Sequence, residues 1–352
     1  MSASFDPAEM VDWRLAVSLG SRIAGEGPRV TRAEADAVVA ELRADADRST
    51  ALVRGCTGLE AGERTAPVLV VDRAGWVQAN ADAFRTILGP LVGRLTEKRP
   101  PSGLTLAVGS RITGAEVGGL LGFLASRVLG QFDPFHEPSG RLLLVAPNLV
   151  HVERELGVDP TDFRLWVCLH EETHRVQFTA VPWMREHLQG LIAETAGTLG
   201  GDAGGVVDGG ISRLRELLGY REGRGTGSLV ELLSSPAQRE LLDRVTAVMS
   251  LLEGHADYVM DEVGPEVIPS VADIRRRFNE RRKGVGALDR LLRRLLGLDA
   301  KMAQYRDGAR FVRAVVDKVG MDDFNVIFSA PEQLPTRAEI ADPALWVSRV
   351  HG

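Results

Sequence analysis

The segment Asp162–Phe178 reads DFRLWVCLHEETHRVQF, contains no proline and places its apolar residues at helical spacing. Asp159 and Pro160 precede it. An aspartate cap followed by a proline at the first helical position is typical of a helix N-terminus. We therefore predict a helix from Pro160 to about Ala180.

Within this helix, His170-Glu171-Glu172-Thr173-His174 forms an H-E-x-x-H pattern. Residues i and i+4 share one helix face, with Cβ atoms about 5–6 Å apart. Two imidazoles at that spacing can hold one Zn²⁺, with about 2.0–2.1 Å to each nitrogen. Glu171 lies at the edge of the same face, where it can take a proton from a metal-activated water without ligating the metal.

The competing interpretation of this pattern is a solvent-facing helix that happens to display both histidines. Large apolar residues on the same face indicate that this face is turned inward. Both imidazoles would then be buried and would need polar partners, which a metal site provides. The apolar residues are Phe163, Trp166, Val167 and Phe178. Cys168 faces about 160° away from His170 on a helix, which predicts a buried core thiol.

A third protein ligand must come from another segment, because residue 180, where an extended pattern would place a third histidine, is alanine. The best segment is LLEGHADY, residues 251–258. Glu253 is the predicted ligand, and Asp257, one helical turn later, is predicted to accept a hydrogen bond from a ligand histidine. His255 competes for the ligand role, but it lies about 200° from Glu253 on a helix, so both are not expected to bind one metal.

Three motifs of the chain resemble the zincin-like metallopeptidase family of high-GC bacteria: HEETHRVQF, LLEGHADYVMD and KMAQYRDGARF. The chain is also similar to a branch of that family labelled as associated with biosynthesis of a deazaflavin coenzyme. The likeness extends from VDWRLA near the start to Pro343–Trp346 near the end. The central motif is specific, whereas the flanking motifs are weaker.

The resemblance implies a mainly helical, gluzincin-like fold with His170 and His174 as zinc ligands and Glu171 as base. By the E-x-x-x-D pattern of gluzincins it implies Glu253 as the third ligand. The family indicates no substrate, and we interpret the branch label as a reflection of neighbouring genes rather than of a reaction on the coenzyme.

The KMAQYRDGARF segment adds a candidate for stabilising an oxyanion. Tyr305 shares one predicted helix face with Lys301, Gln304 and Gly308. A tyrosine hydroxyl near zinc could donate to the oxyanion of a tetrahedral intermediate. His255 and Tyr258 are rival candidates, and the alternative interpretation of Tyr305 is packing on an amphipathic helix.

The remaining pattern predicts a mainly α fold, α+β with a small sheet, in a single domain spanning residues 1–352. An alternative divides it into a helical lobe with short strands, residues 1–150, and a helical lobe carrying both motifs, residues 151–352. The predicted strands are Pro67–Val71 and Gly140–Val145. The other predicted helices are Val11–Ile23, one capped by Thr31 and Glu34 that runs to Val53, Trp76–Leu95 with a break at Gly89-Pro90, Thr113–Leu129, Pro236–Val263 and Leu298–Val319. The glycine-rich stretch Gly197–Gly210 is predicted to be a flexible loop.

Composition limits the class of protein. Of 352 residues, 44% are hydrophobic and 26% charged, which is ordinary for a globular protein and excludes collagen, coiled-coil and disordered chains. A net charge of −6 gives no argument for nucleic-acid binding. No apolar run reaches the roughly 18–20 residues of a membrane span, and no secretory signal is recognisable. With Cys56 and Cys168 as the only cysteines, we expect reduced thiols and a cytoplasmic location.

The segment Arg275–Arg294 carries nine positive charges against Glu280 and Asp289. It is interpreted as a solvated helix face balanced by acids elsewhere, with an acidic partner as the alternative. Phe278 is its only aromatic residue, which argues against stacking on nucleic-acid bases.

These features predict a cytoplasmic zinc hydrolase of the metallopeptidase type, acting on a peptide or protein, with neither nucleic acid nor membrane as partner. One alternative is a zinc-bearing scaffold or accessory protein without proteolytic activity. Another is an amidase that acts on a small molecule through the same zinc chemistry. The sequence leaves the substrate and the oligomeric state open.

Overall fold

The structure is a computed structural model that describes residues 7–60, 66–96, 103–200, 236–283 and 298–352. In these ranges the helices are α1 (Trp13–Ala24), α2 (Arg32–Thr57), α3 (Arg73–Thr96), α4 (Gly103–Ala125), α5 (Ala146–Leu156), α6 (Pro160–Ala180), α7 (Met184–Gly200), α8 (Pro236–Glu262), α9 (Val271–Lys283), α10 (Leu298–Val319), α11 (Met321–Phe324), α12 (Arg337–Ala341) and α13 (Pro343–His351). The strands are β1 (Val68–Val71), β2 (Gly130–Asp133) and β3 (Arg141–Val145). Short 3₁₀ helices span Pro7–Met10, Asn325–Phe328 and Pro331–Gln333. The predicted mainly α class with a small sheet is confirmed.

Helix α6 has the predicted bounds and lies in the middle of the core. The side chain of Asp159 accepts a hydrogen bond from the Asp162 N–H at 3.0 Å, and Pro160 occupies the first turn. The helix packs against α2, α8 and β2, so nearly its whole circumference is covered. Cys168 is buried and lies 3.9 Å from the carbonyl oxygen of Leu42, as expected for a core thiol.

The three strands form one sheet in the order β1-β3-β2, with β3 parallel to β1 and antiparallel to β2. Every residue of β3 is buried, because the strand separates two cores. Leu142 and Leu144 join the core around α6, whereas Leu143 and Val145 join a second core with Trp76. A strand covered on both faces reads as a continuous apolar run, which explains the sequence RLLLV.

Strand β2 was not predicted, and the helix predicted for Thr113–Leu129 ends at Ala125 instead. The short, mixed sequence GQFD carries little strand signal of its own. Pairing holds it in place, with Phe132 opposite Leu142 and Gly130 opposite Leu144. Cross-strand packing of this kind is the main source of stability in a sheet and is invisible to a local pattern.

Two further predictions of secondary structure are wrong. Helix α3 continues through Gly89-Pro90 without the predicted break, because a proline removes a single backbone hydrogen bond and helical turns flank it on both sides. Helix α7 extends to Gly200, so the predicted loop Gly197–Gly210 does not begin where expected. Its residues 201–210 lie outside the described residues.

Thr31 caps α2 as predicted, with its side-chain oxygen accepting the Glu34 N–H at 3.2 Å. The Glu34 carboxylate pairs with Arg154 of α5 and does not complete the reciprocal half of the cap. Among the described helices, none is long and apolar enough to span a bilayer. The single-domain assignment and its two-lobe alternative stay predictions.

Candidate metal centre

The histidines of α6 and the glutamate of α8 meet where these two helices pack together. Nε2 of His174 lies 3.3 Å from Nε2 of His170. Oε2 of Glu253 lies 3.4 Å from Nε2 of His170 and 3.7 Å from Nε2 of His174. The ligand atoms of these three residues thus all lie within 4.8 Å of one another.

This spacing suits a zinc ion. Ligands of a tetrahedral zinc at about 2.0–2.1 Å lie about 3.3–3.4 Å from one another. The three measured separations of 3.3, 3.4 and 3.7 Å are close to that value. Two imidazoles and one carboxylate are also a donor set that zinc takes in catalytic sites, where the fourth position stays open. The residues present fit the metal that the sequence pattern predicts.

Helix α8, which carries Glu253, packs very closely against α10 at Gly254. A Cβ on Gly254 would stand 2.1 Å from the carbonyl carbon of Gly308 in α10. No side chain fits at that separation, so α8 and α10 approach backbone to backbone. Glycine is unfavourable in the middle of a helix, and the close contact with α10 explains its presence here.

The charges of the cluster are strongly coupled. Burial raises the pKa of Glu253, but hydrogen bonds with His170 and His174 outweigh it and hold that pKa well below its ordinary value. Burial lowers the pKa of His174, but the hydrogen bond and charge of Glu253 raise it to about 9. Both shifts show that a positive charge between the histidines and Glu253 is favourable. A divalent cation bound there would supply such a charge.

Glu171, the predicted base, is buried beside this cluster and against β2. Its side-chain atoms lie so close to Gly130 that a Cβ there would stand 2.5 Å from Cγ of Glu171. Burial raises the pKa of Glu171, and the charges of His170 and His174, followed by a hydrogen bond from the backbone N–H of Phe132, oppose that rise. A carboxylate with a raised pKa suits proton transfer near neutral pH.

A cavity of about 470 Å³ opens onto the cluster. The three candidate ligands and Glu171 form its floor. One wall is the segment from Arg127 to Phe132, which includes the edge of β2. The other walls are mainly apolar and comprise Trp166, Val167, Met260 and Phe278, together with Asp257. Side chains of the ligands keep 13–24% of their surface exposed, so water can reach them.

The second ring nitrogens of both histidines have partners that the sequence analysis missed. Nδ1 of His174 lies 2.9 Å from Oε1 of Gln177, and Nδ1 of His170 lies 3.3 Å from Sδ of Met260. The sequence analysis assigned no role to Gln177. Its position one helical turn after His174, on the same face, is the signal that could have identified it.

The predicted hydrogen bond from a ligand histidine to Asp257 does not form among the described residues. Its Oδ1 accepts from Nη1 of Arg275 at 3.0 Å instead. The cause is geometric, because Gln177 and Met260 already occupy the Nδ1 sides of the two rings. Asp257 lines the cavity as one partner of an ion pair.

His255, the rival for the third ligand, is fully buried and lies away from the cluster. Its Nδ1 lies 3.0 Å from Nε2 of Gln177, and its ring packs 5.5 Å from the rings of both Phe324 and Phe328. Burial, followed by the charge of His174, lowers its pKa to about 3. Of the two candidates, the structure places Glu253 with the histidines.

Of the tyrosine candidates, Tyr258 is not among the residues that line the cavity. Tyr258 is buried, and its hydroxyl bonds with Glu262 at the far end of α8. Tyr305 belongs to α10, but its side chain lies outside the described residues, as do those of Lys301 and Gln304. The role of Tyr305 stays a prediction.

Acids surround the described part of the basic segment. Arg275 pairs with Asp257 and Asp261, Arg276 and Arg277 with Asp273, and Arg281 with Glu155. This agrees with a helix face balanced by acids. Residues 284–294 of the segment lie outside the described residues.

Comparisons with known proteins identify the family of the chain. The sequence profile of the zincin-like metallopeptidase family matches residues 11–347, so the chain belongs to that family. It is similar to a crystal structure from Chloroflexus aurantiacus described as a candidate hydrolase with a novel fold, at 30% identity and a TM-score of 0.71. That match covers 97% of this chain and 99% of the other. A search of curated proteins found no match.

Proposed function

We propose that the chain is a zinc-dependent hydrolase that cleaves amide bonds of peptides. The proposal rests on the convergence of His170, His174 and Glu253 at zinc-ligand spacing beside the buried carboxylate of Glu171. Membership in the zincin-like metallopeptidase family supports the same class of reaction.

In this proposal His170, His174 and Glu253 would hold the metal at the floor of the cavity. A bound zinc supplies a Lewis acid, which polarises a carbonyl and acidifies water. Glu171 accepts the proton that the attacking water gives up and returns it to the departing amine nitrogen. The Phe132 N–H keeps the Glu171 carboxylate oriented during both transfers.

The position of β2 supports a peptide as substrate. Among the described strands β2 lies at the edge of the sheet, with β3 on one side and the cavity on the other. Leu129 accepts a hydrogen bond from the Val145 N–H of β3 at 2.8 Å. Because alternate residues of an antiparallel strand face opposite sides, the backbone groups of Gly130 and the carbonyl of Phe132 point away from β3, while the Phe132 N–H donates to Glu171. An extended peptide lying along this edge would place its carbonyl over the cluster, and the apolar wall with Trp166 and Phe278 would accommodate an apolar side chain.

The test combines metal analysis of the purified full chain with a broad peptide-library cleavage screen. We expect one zinc per chain and cleavage of a subset of peptides. Glu171→Gln should keep the zinc and lose about 10²–10⁴-fold in kcat, the usual contribution of a general base. Glu194→Gln, which alters an exposed ion pair with Arg244, is the matched control and should cleave at the wild-type rate.

Cleavage by Glu171→Gln at the wild-type rate would refute the role of that base. Zinc binding with hydrolysis of small amides but not of peptides would point to the amidase alternative. Zinc binding without any hydrolysis would favour the scaffold. A chain without zinc would overturn the metal centre itself.

A further inference from the structure

The side-chain amide of Gln177 connects α6 to α8 directly behind the candidate ligands. It is fully buried and has three polar neighbours. Oε1 lies 2.9 Å from Nδ1 of His174. Nε2 lies 3.0 Å from the carbonyl oxygen of Leu252 and 3.0 Å from Nδ1 of His255.

The backbone determines which way this amide faces. The Leu252 carbonyl can only accept a hydrogen bond, so the amide must present its NH₂ group there. Its oxygen then faces His174 and can only accept, which requires the proton of that ring to be on Nδ1. The lone pair of neutral His174 is therefore on Nε2, the atom that faces His170 and Glu253.

His255 supports the amide from the opposite side. Its Nδ1 accepts the second N–H of Gln177, so the proton of this ring is on Nε2. That atom is buried among aromatic rings and has no hydrogen-bond partner among the described residues. All three donor and acceptor groups of the glutamine amide are thus used, and a carboxylate at the same position could donate to neither Leu252 nor His255.

We propose that Gln177 is a positioning residue, which holds His174 in the tautomer whose Nε2 binds zinc and is itself oriented by the Leu252 carbonyl and His255. The inference rests on the proposed zinc centre and deepens it. Carboxylates commonly orient zinc-binding histidines. Here the nearby carboxylate, Asp257, is paired with Arg275, and an amide takes that place.

The test compares Gln177→Leu, which keeps the approximate volume and removes all three hydrogen bonds, with a control variant that loses a buried hydrogen bond elsewhere on α6. Thr173→Val is that control, since the buried Thr173 hydroxyl donates only within the helix, to Leu169 at 2.7 Å. Zinc affinity is measured by competition with a chelating dye. We expect Gln177→Leu to raise the zinc Kd about 10–100-fold, as loss of a partner to a ligand histidine commonly does. Thr173→Val should leave the Kd unchanged.

A spectroscopic measurement on the wild-type chain keeps the inference testable even if Gln177→Leu does not fold. Ring nitrogen chemical shifts of the zinc-loaded protein should show His174 with a proton on Nδ1 and the metal on Nε2, and His255 neutral with its proton on Nε2. Zinc bound through Nδ1 of His174, or an unchanged Kd in Gln177→Leu, would overturn the role of Gln177 while leaving the metal centre intact. A wild-type chain that binds no zinc would overturn the proposed function instead, and this inference with it.

Discussion

Replacing Gly130 with alanine tests whether β2 sets the position of the base. The added Cβ would lie 2.5 Å from Cγ, 2.8 Å from Cδ and 2.9 Å from Oε1 of Glu171. Carbon atoms in contact normally lie about 3.5–4.0 Å apart, so the Glu171 side chain must move by about 1 Å. The movement also disturbs the hydrogen bond from the Phe132 N–H.

A catalytic group misplaced by about 1 Å can cost about 100-fold in rate. We therefore expect kcat/KM of Gly130→Ala to fall by about two orders of magnitude on a peptide identified in the library screen. Its metal content should equal that of the wild type, because the added methyl group meets Glu171 and not the three ligands. Rates and zinc content are measured on the same preparation.

Gly190→Ala is the matched control, since a Cβ at that position of α7 meets no atom of the described residues within 4 Å. It should keep the wild-type rate and gain slightly in stability, as alanine is favoured over glycine in a helix. A Gly130→Ala variant as fast as Gly190→Ala would refute the argument that Glu171 is held by contact with β2. A variant that loses its zinc would show that the strand supports the ligands as well.

The structure makes two further predictions. Gly254→Ala places a Cβ 2.1 Å from the carbonyl carbon of Gly308, so urea denaturation should show a loss of about 1–3 kcal/mol or more, and an unchanged midpoint would contradict the close helix contact. Burial, and to a lesser extent the charge of Glu41, raises the pKa of Asp45 from 3.8 to about 6. Because the unfolded carboxyl ionises at lower pH than the folded one, the wild type loses stability as pH rises through this interval. The thermal midpoint of Asp45→Asn should therefore rise relative to that of the wild type as pH increases from 4 to 7. A difference between the two midpoints that does not change with pH would contradict the raised pKa of Asp45.

The elements that the sequence predicted well are those whose signal is local. The helix from Pro160 to Ala180 follows from one cap, one proline and a continuous apolar periodicity, all within its own residues. The pairing of His170 with His174 follows from helix geometry alone. Glu253 required a second helix, and its spacing of four residues from Asp257 was enough to indicate the segment.

The errors concern features that depend on distant contacts. Strand β2 forms because β3 offers a partner, and its own four residues do not predict it. Asp257 has the spacing expected of a partner for a ligand histidine, but Arg275 lies close enough to pair with it. No sequence motif indicates a role for Gln177. Its role depends on α8, which places the Leu252 carbonyl 3.0 Å from the Gln177 amide nitrogen.

The sequence by itself determined which chemical groups meet on α6, because a helix places residues four apart on one face whatever surrounds it. It also determined that this helix is buried, because apolar side chains cover the same face. Only the tertiary structure decided how the ligand rings are oriented, which acid partners them and what holds the base. Those choices depend on the crossing of α6, α8 and β2, which are tens of residues apart in the chain, and on contacts of a few ångströms that no local spacing encodes.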